Sequence, residues 1–207
     1  RMIWGVGQAT QEALDRSGIR TFEDLLRWDH QDLIARFGGM GDRLWHLARG
    51  EDKRRVTRDA PVKSISNETT FHEDTGDPDV LDGHLWRMSE KVADRAKAKG
   101  LAGRVVVLKL RRADFQIITR RHALRDATQT ADRIYREARH LFDQLGERGP
   151  YRLLGAGISD LVPADQADRL GDLLDPDAGK RAAAERATDA IRARFGDGII
   201  VKGRALR

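Results

Sequence analysis

Between Lys63 and Val162, residue patterns typical of β-strands and of amphipathic helices follow one another in a definite order. This order constrains the fold more than any other feature of this 207-residue chain. Segments typical of β-strands lie at 63–71, 104–110, 115–122 and 151–162. Amphipathic helical segments separate the first strand from the second and the third from the fourth. The order β-α-β-β-α-β predicts a four-stranded sheet with both helices on one face, which leaves the other face open.

Two helix starts are visible in this region. Asp77 before Pro78 predicts an N-cap with proline at the first helical position, and Gly100 is expected to end that helix. Asp126 or Thr128 is expected to cap the second helix. The alternation of strand side chains places Arg120 and Arg121 on opposite faces of the sheet.

The first fifty residues predict short helices separated by glycines. Gln8 to Ser17 has helical spacing and Gly18 is suited to end it, while Thr21 and Asp29 are candidate caps of the next two helices. Gly38-Gly39-Met40-Gly41 is expected to interrupt the helical pattern, which resumes at Asp42.

Two glycine hairpins each lead into a predicted helix. Gly5-Val6-Gly7 precedes the first helix, and Gly38-Gly39-Met40-Gly41 precedes the last. Glycine lets an anion approach the backbone amides, and the positive end of the following helix attracts it. A pair of such hairpins is typical of a helix-hairpin-helix module, which binds DNA phosphates without reading bases.

Charge placement also indicates a polyanionic ligand. The chain has 38 Lys and Arg against 33 Asp and Glu, a net charge of +5. Between Arg104 and Arg125 lie seven basic residues and a single acid, Asp114. Such a stripe is either the footprint of a polyanion or a strand pair decorated for solubility.

Composition excludes several classes of chemistry. With no cysteine, the chain has no disulfide, zinc–thiolate site, iron–sulfur cluster or cysteine nucleophile. No nucleotide-binding or hydrolase motif is present, the six histidines are scattered along the sequence, and we expect neither a catalytic residue nor a metal site in this stretch. No apolar run reaches a membrane span and no signal peptide is visible, so we expect a cytoplasmic protein without a membrane partner.

These patterns predict an α+β protein of four segments. An all-α helix-hairpin-helix domain is expected at 1–50 and a basic linker at 51–62. The β-α-β-β-α-β domain follows at 63–162, and an acidic loop with a C-terminal helical tail at 163–207.

Several stretches of the sequence resemble one family. They are Ile3-Trp4-Gly5-Val6-Gly7, 18–25, 63–71, 108–120, 152–159 and 189–196. They occur in the order found in the thumb and little finger domains of Y-family translesion DNA polymerases of the DinB (DNA polymerase IV) type, which the chain resembles over nearly its whole length.

The resemblance implies an all-α thumb followed by a little finger domain, without the palm that holds the catalytic carboxylates and their Mg²⁺. On this interpretation the chain is a C-terminal fragment, inactive by itself, of an error-prone DNA-directed DNA polymerase used in DNA repair. The alternative is a non-catalytic repair accessory module that binds DNA and recruits the sliding clamp or another repair partner.

The resemblance also implies which residues contact primer–template DNA. In the thumb these would be the two hairpins, which in such thumbs also hold a monovalent cation through carbonyls. In the little finger they would be residues of the first strand and of the basic hairpin. The implied DNA-binding set is Gly5, Val6, Gly7, Gly39, Met40, Gly41, Lys63, Ser64, Ser66, Arg111, Thr119, Arg120 and Arg121.

Members of this family also bind the sliding clamp through a short glutamine- and leucine-containing peptide. The acidic loop contains a degenerate version, in which Gln166, Leu170, Leu173 and Leu174 are the candidate anchors. Arg169 stands where glutamine is expected if the last two leucines are anchors. Alternatively, these leucines cover the edge of the sheet.

Overall fold

The computed structural model describes residues 3–55, 61–146, 149–167, 177–196 and 199–203. The chain divides into two compact units, Arg1–Ala60 and Pro61–Arg207. The boundary between them falls inside the basic segment at 51–62. The sheet and the C-terminal helix therefore belong to the same unit.

The first unit is helical throughout most of its described residues. Its helices are α1 (Gln8–Arg16), α2 (Phe22–Arg27), α3 (His30–Phe37) and α4 (Gly39–Ala48). They enclose a small apolar core of Leu14, Ile19, Leu25, Leu33 and Leu44.

The helix starts of this unit follow the predicted local chemistry. The Thr21 side chain accepts a hydrogen bond from the Asp24 amide, and Asp24 reciprocates in a capping box. Asp29 caps α3 by accepting from the Gln31 amide. Gly18 ends α1 with φ +74°, a backbone conformation that favours glycine. These three predictions are confirmed.

The junction of α3 and α4 corrects the prediction that the helical pattern resumes at Asp42. Only Gly38, with φ +59°, separates the two helices, and α4 begins at Gly39. Gly41 is buried where the helices cross, and a Cβ there would lie 1.9 Å from the Leu33 carbonyl oxygen. Gly41 therefore permits close packing between the two helices.

The second unit contains the predicted sheet, built from β1 (Ser64–Thr75), β2 (Leu101–Arg112), β3 (Ile117–Thr128) and β4 (Tyr151–Pro163). Its helices are α5 (Pro78–Ala98), α6 (Ala131–Asp143) and α7 (Ala178–Phe195), with a short 3-10 turn at Ala164–Gln166. The spatial strand order is β1-β4-β2-β3, and all neighbouring strands are antiparallel. This arrangement confirms the predicted α+β fold.

The core lies between one face of the sheet and the helices α5 and α6. Alternate residues of the two central strands point into it, among them Val106, Leu108, Leu154 and Ile158. The helices cover them with the side chains Leu81, Leu85, Trp86, Met88, Val92, Ile134, Tyr135, Ala138 and Leu141. Asp77 caps α5 ahead of Pro78, as the sequence predicts.

The start of α6 differs from the prediction. Asp126 and Thr128 both lie in β3, and the N-cap residue is Thr130, whose side chain makes no capping bond. The amides of Ala131 and Asp132 instead donate to the Glu185 carboxylate of α7, at 2.8 and 3.2 Å. A residue more than fifty positions away therefore caps this helix.

No helix among the described residues combines the length and apolar character needed to cross a bilayer.

Candidate nucleic-acid interface

Within the second unit, no described helix covers the sheet face opposite α5 and α6, and the strand register defines the rows of side chains on that face. One row runs Ser66, Gly157, Val107 and Arg121 across β1, β4, β2 and β3. The next row runs Glu68, Gly155, Lys109 and Thr119. We call this surface the open face.

Glycines form the floor of the open face along β4. A Cβ on Gly157 would lie 2.7 Å from the Ser66 Cβ, and one on Gly155 would lie 2.9 Å from the Glu68 Cβ. The close approach of β1 thus excludes side chains from both positions. The result is a groove of about 460 Å³, lined by polar and basic groups that include Ser64, Ser66, Lys109, Thr119 and Arg121.

An ion pair crosses this groove. Lys109 Nζ lies 2.7 Å from Glu68 Oε2, with Gly155 between the two residues in the register. Both side chains are partly exposed, so the pair is accessible to solvent and weak.

Four residues of the open face were not among the site residues predicted from the sequence: Glu68, Lys109, Gly155 and Gly157. The Gly-x-Gly spacing within a strand was a visible signal, because it predicts a strip of the sheet without side chains.

The structure separates Arg120 from Arg121, as strand alternation predicts. Arg121 pairs in register with Val107 on the open face, and no acidic group among the described residues pairs with it. Arg120 lies opposite Leu108 on the helix-bearing face, where its Nη1 donates to the Thr119 carbonyl. The open face therefore brings Ser64, Ser66, Thr119 and Arg121 together without Arg120.

Arg111 extends the open face toward the end of β2 that leads into the hairpin. It lies between Leu153 and Ile117 in the register, and its Nε is buried without an acceptor among the described residues. Lys63 is exposed immediately before β1. The hairpin tip, where Phe115 has φ +66°, is also exposed.

The first glycine hairpin forms a tight turn ahead of α1. Gly5 has φ +92°, and the Val6 amide donates to the Ile3 carbonyl at 3.1 Å. The Val6 amide is consequently engaged within the turn, contrary to its predicted role toward a phosphate. Gly7 is the N-cap of α1, with no side-chain cap and no acid in the first turn. The amides at the start of α1 are thus open to an anion.

Arg43 of α4 anchors this turn. Its Nη2 donates to the Trp4 carbonyl at 2.7 Å, and its guanidinium carbon lies 5.4 Å from the centre of the Trp4 ring. The contact brings a positive charge to the hairpin, and a Cβ on Gly5 would lie 3.1 Å from Arg43 Nη1.

The second glycine hairpin offers fewer free amides than predicted. The Gly41 amide donates to the Gly38 carbonyl at 2.9 Å, and Gly41 itself is buried. It therefore packs helices rather than binding an anion. Gly39 and Met40 remain at the start of α4, but Asp42 places a negative charge in the same turn, which disfavours an anion.

The candidate clamp-binding peptide is only partly described. Gln166 is exposed in the 3-10 turn after β4. Leu170, Leu173 and Leu174 lie outside the described residues, so their role stays a prediction.

A cluster of His30, Asp42 and His46 in the first unit was missed by the sequence reasoning, which treated the histidines as scattered. Asp42 and His46 lie one turn apart on α4, and His30 reaches them from the start of α3. Their ligand atoms all lie within 4.8 Å of one another. The spacing of four between Asp42 and His46 was a visible signal, whereas the approach of His30 depends on tertiary packing.

The second unit matches a known protein family. The model of the impB/mucB/samB family C-terminal domain matches residues 62–171, which include all four strands. The chain belongs to this family. The match confirms the predicted resemblance to the C-terminal part of the Y-family polymerases.

Curated relatives match almost the entire chain. It is 48% identical over 202 residues to DNA polymerase IV 1 of Mesorhizobium japonicum, covering 98% of this chain and 46% of the relative. It is 45% identical to DNA polymerase IV of Brucella melitensis, covering 98% of this chain and 45% of the relative. The chain thus spans about half the length of these relatives.

A solved structure gives the same fold at lower sequence similarity. It is a Y-family DNA polymerase chimera of Dbh and Dpo4, which superposes with a TM-score of 0.54 at 19% identity. The match covers 78% of this chain and 46% of the chimera. The matched part of this chain therefore has the fold of the corresponding part of that chimera.

Proposed function

We propose that this chain binds the sugar–phosphate backbone of primer–template DNA, without regard to sequence, as the thumb and little finger of a DinB-type translesion polymerase. The observation that carries the proposal is the open face, where a glycine-floored groove is bordered by Arg121, Lys109 and two exposed serines. Hydroxyl and guanidinium donors around a shallow groove suit phosphate oxygens.

Arg121 supports this proposal most directly. It faces the groove and has no acidic partner among the described residues, so its guanidinium has donors available for a phosphate, to which it can bind in a bidentate manner. The Nε of Arg111 is buried, so that donor does not reach a phosphate unless the side chain moves. Arg120, on the other face of the sheet, serves as an internal comparison.

The start of α1 is a second proposed phosphate contact. Gly7 brings uncapped amides to the surface, and Arg43 adds positive charge at the preceding turn. This arrangement matches the use of a helix N-terminus to bind a backbone phosphate in a helix-hairpin-helix module. Gly5 contributes the turn itself, because its φ of +92° is unfavourable for other residues.

The relatives support a role in a larger enzyme. Both that are named above carry the name DNA polymerase IV and are about twice as long as this chain. We propose that this chain binds and positions the DNA, whereas a separate part of a full-length relative supplies the catalytic carboxylates and Mg²⁺. Bypass of DNA lesions is proposed on the same family basis.

Fluorescence anisotropy of the 207-residue chain with a labelled primer–template duplex tests the DNA-binding proposal. We expect sequence-indifferent binding whose logarithmic affinity falls by about 0.9 per phosphate contact for each logarithmic unit of salt. Arg121→Gln should weaken binding to all sequences and reduce the salt slope by about one contact.

Arg120→Gln is the matched control, because it removes the same charge from the opposite face of the same strand. Equal losses of affinity in the two variants would show that net charge, rather than the open face, determines binding. Absence of duplex binding by the unaltered chain at low salt would contradict the proposal outright.

A further inference from the structure

The first unit contains three metal-binding side chains that converge from two helices. Asp42 Oδ1 lies 2.7 Å from His30 Nε2 and 3.8 Å from His46 Nε2. All three side chains are partly buried rather than fully solvated. This convergence has no part in the proposed contact with DNA, so it requires a separate explanation.

Glu51 fixes the orientation of one histidine. His46 Nδ1 lies 2.7 Å from Glu51 Oε2. When neutral His46 donates its Nδ1 proton to Glu51, its Nε2 lone pair faces the Asp42 carboxylate. Two electron-rich atoms then face each other, and a cation between them would relieve the repulsion.

The other histidine is held by stacking. The His30 ring lies 4.4 Å from the centre of the Trp45 ring, with 25° between the two planes. The Arg49 guanidinium covers Trp45 at 3.7 Å. The close helix crossing at Gly41 sets the separation of α3 and α4, so the ligand atoms are preorganised before any ion arrives.

We propose that His30, Asp42 and His46 bind one Zn²⁺, with Glu51 positioning His46. Two imidazoles and one carboxylate are a ligand set that Zn²⁺ accepts with a fourth position open to water. Bonds of about 2.0 Å at tetrahedral angles place ligand atoms roughly 3.3 Å apart. The observed distances of 2.7 and 3.8 Å lie on either side of that value.

A carboxylate hydrogen-bonded to a ligating histidine is the usual support of such a site, because it fixes the tautomer and raises the basicity of the metal-facing nitrogen. Glu51 has that relationship to His46. To bind a metal through Nε2, His30 must carry its proton on Nδ1 instead. Because protons compete with zinc for the imidazole nitrogens, zinc binding should weaken at acidic pH.

The test is titration of the 207-residue chain with Zn²⁺ against a fluorescent chelator, and with Co²⁺ as a spectroscopic probe. We expect one equivalent of Zn²⁺ to bind and Co²⁺ to give the visible absorption of a four-coordinate site. His46→Gln and Asp42→Asn should each weaken zinc binding at least tenfold. Glu51→Gln should weaken it less, because Glu51 is a positioning residue.

His122→Gln is the matched control, because His122 also lies 2.7 Å from an acid, Glu137, but in the second unit. It should leave zinc binding unchanged. Circular dichroism at matched temperatures checks that each variant is folded. Equal zinc affinity in all variants, or no saturable zinc binding by the unaltered chain, would overturn the proposal. The three side chains would then be held together by a shared proton rather than by a metal ion.

Discussion

Lys97 of α5 and Glu185 of α7 form an ion pair, with Nζ 2.6 Å from Oε1. The Glu185 carboxylate also accepts the amides of Ala131 and Asp132, so one buried group joins α5, α6 and α7. Asp189 gives Lys97 a second partner at 2.6 Å. This network attaches the C-terminal helix to the sheet unit.

We expect Lys97→Met to destabilise the second unit by roughly 2–3 kcal/mol, because it leaves the Glu185 carboxylate buried without its cation. The two amide hydrogen bonds to Glu185 limit this loss of stability. Urea unfolding followed by circular dichroism measures the change in the free energy of unfolding. Lys99→Met, at an exposed position near the end of the same helix, is the control. An unchanged urea midpoint in Lys97→Met would contradict the structural role of the pair.

The same pair predicts a dependence on alkaline pH. Burial lowers the pKa of Lys97, but its hydrogen bonds to Asp189 and Glu185 outweigh burial and raise it above 10.5. A raised lysine pKa stabilises the fold below pH 10.5, and this contribution disappears as pH rises through the folded-state value. The stability difference between the unaltered chain and Lys97→Met should therefore be constant at neutral pH and shrink at strongly alkaline pH.

Gly41→Ala should destabilise the first unit by about 3 kcal/mol, because its Cβ would overlap the Leu33 carbonyl oxygen and force α3 and α4 apart. Gly39→Ala is the matched control, since nothing lies within 4 Å of a Cβ at that position of the same helix. Thermal unfolding of both variants measures the difference. Equal melting temperatures would show that α3 and α4 can move apart without any loss of stability.

Glu68→Gln should strengthen duplex binding by roughly two- to fivefold, because it removes a carboxylate from the open face and frees Lys109. The salt slope should steepen by about one contact. This prediction rests on the proposed function. Asp94→Asn, on the solvent side of α5, controls for the change in net charge. Weaker binding by Glu68→Gln would place the DNA elsewhere.

His84 should titrate below its ordinary pKa of 6.5, because partial burial, and then the Arg87 charge, disfavour its protonated form. A lowered histidine pKa contributes stability above pH 6.5, which is lost as pH falls toward the folded-state value. NMR titration of the His84 ring proton measures the shift. Arg87→Gln should move the pKa back toward 6.5, whereas Lys99→Gln should not.

Local chemistry makes much of this fold predictable from sequence. Thr21, Asp29 and Asp77 each cap a helix through bonds to residues two or three positions away, so a short window contains all the information needed. Strand alternation likewise separates Arg120 from Arg121 without any knowledge of tertiary contacts. The order of the strands and helices follows from the same short-range periodicities.

Contacts between distant segments are not predictable in this way. Glu185 caps α6 although it lies more than fifty residues further along the chain, and no sequence pattern near Thr130 predicts this contact. His30 reaches Asp42 only because α3 folds back on α4 around Gly38. The hydrogen bond that engages the Val6 amide depends on a turn geometry that the glycine spacing alone does not specify.

Gly155 and Gly157 also determine how natural variation in this family can be interpreted. Both positions exclude a side chain because β1 lies too close, not because a ligand does. We therefore expect glycine at both positions even in a relative that has lost its affinity for DNA. Glycine at these two positions indicates only that β1 and β4 are closely spaced. A substitution at Arg121, in contrast, indicates a change in what the open face binds.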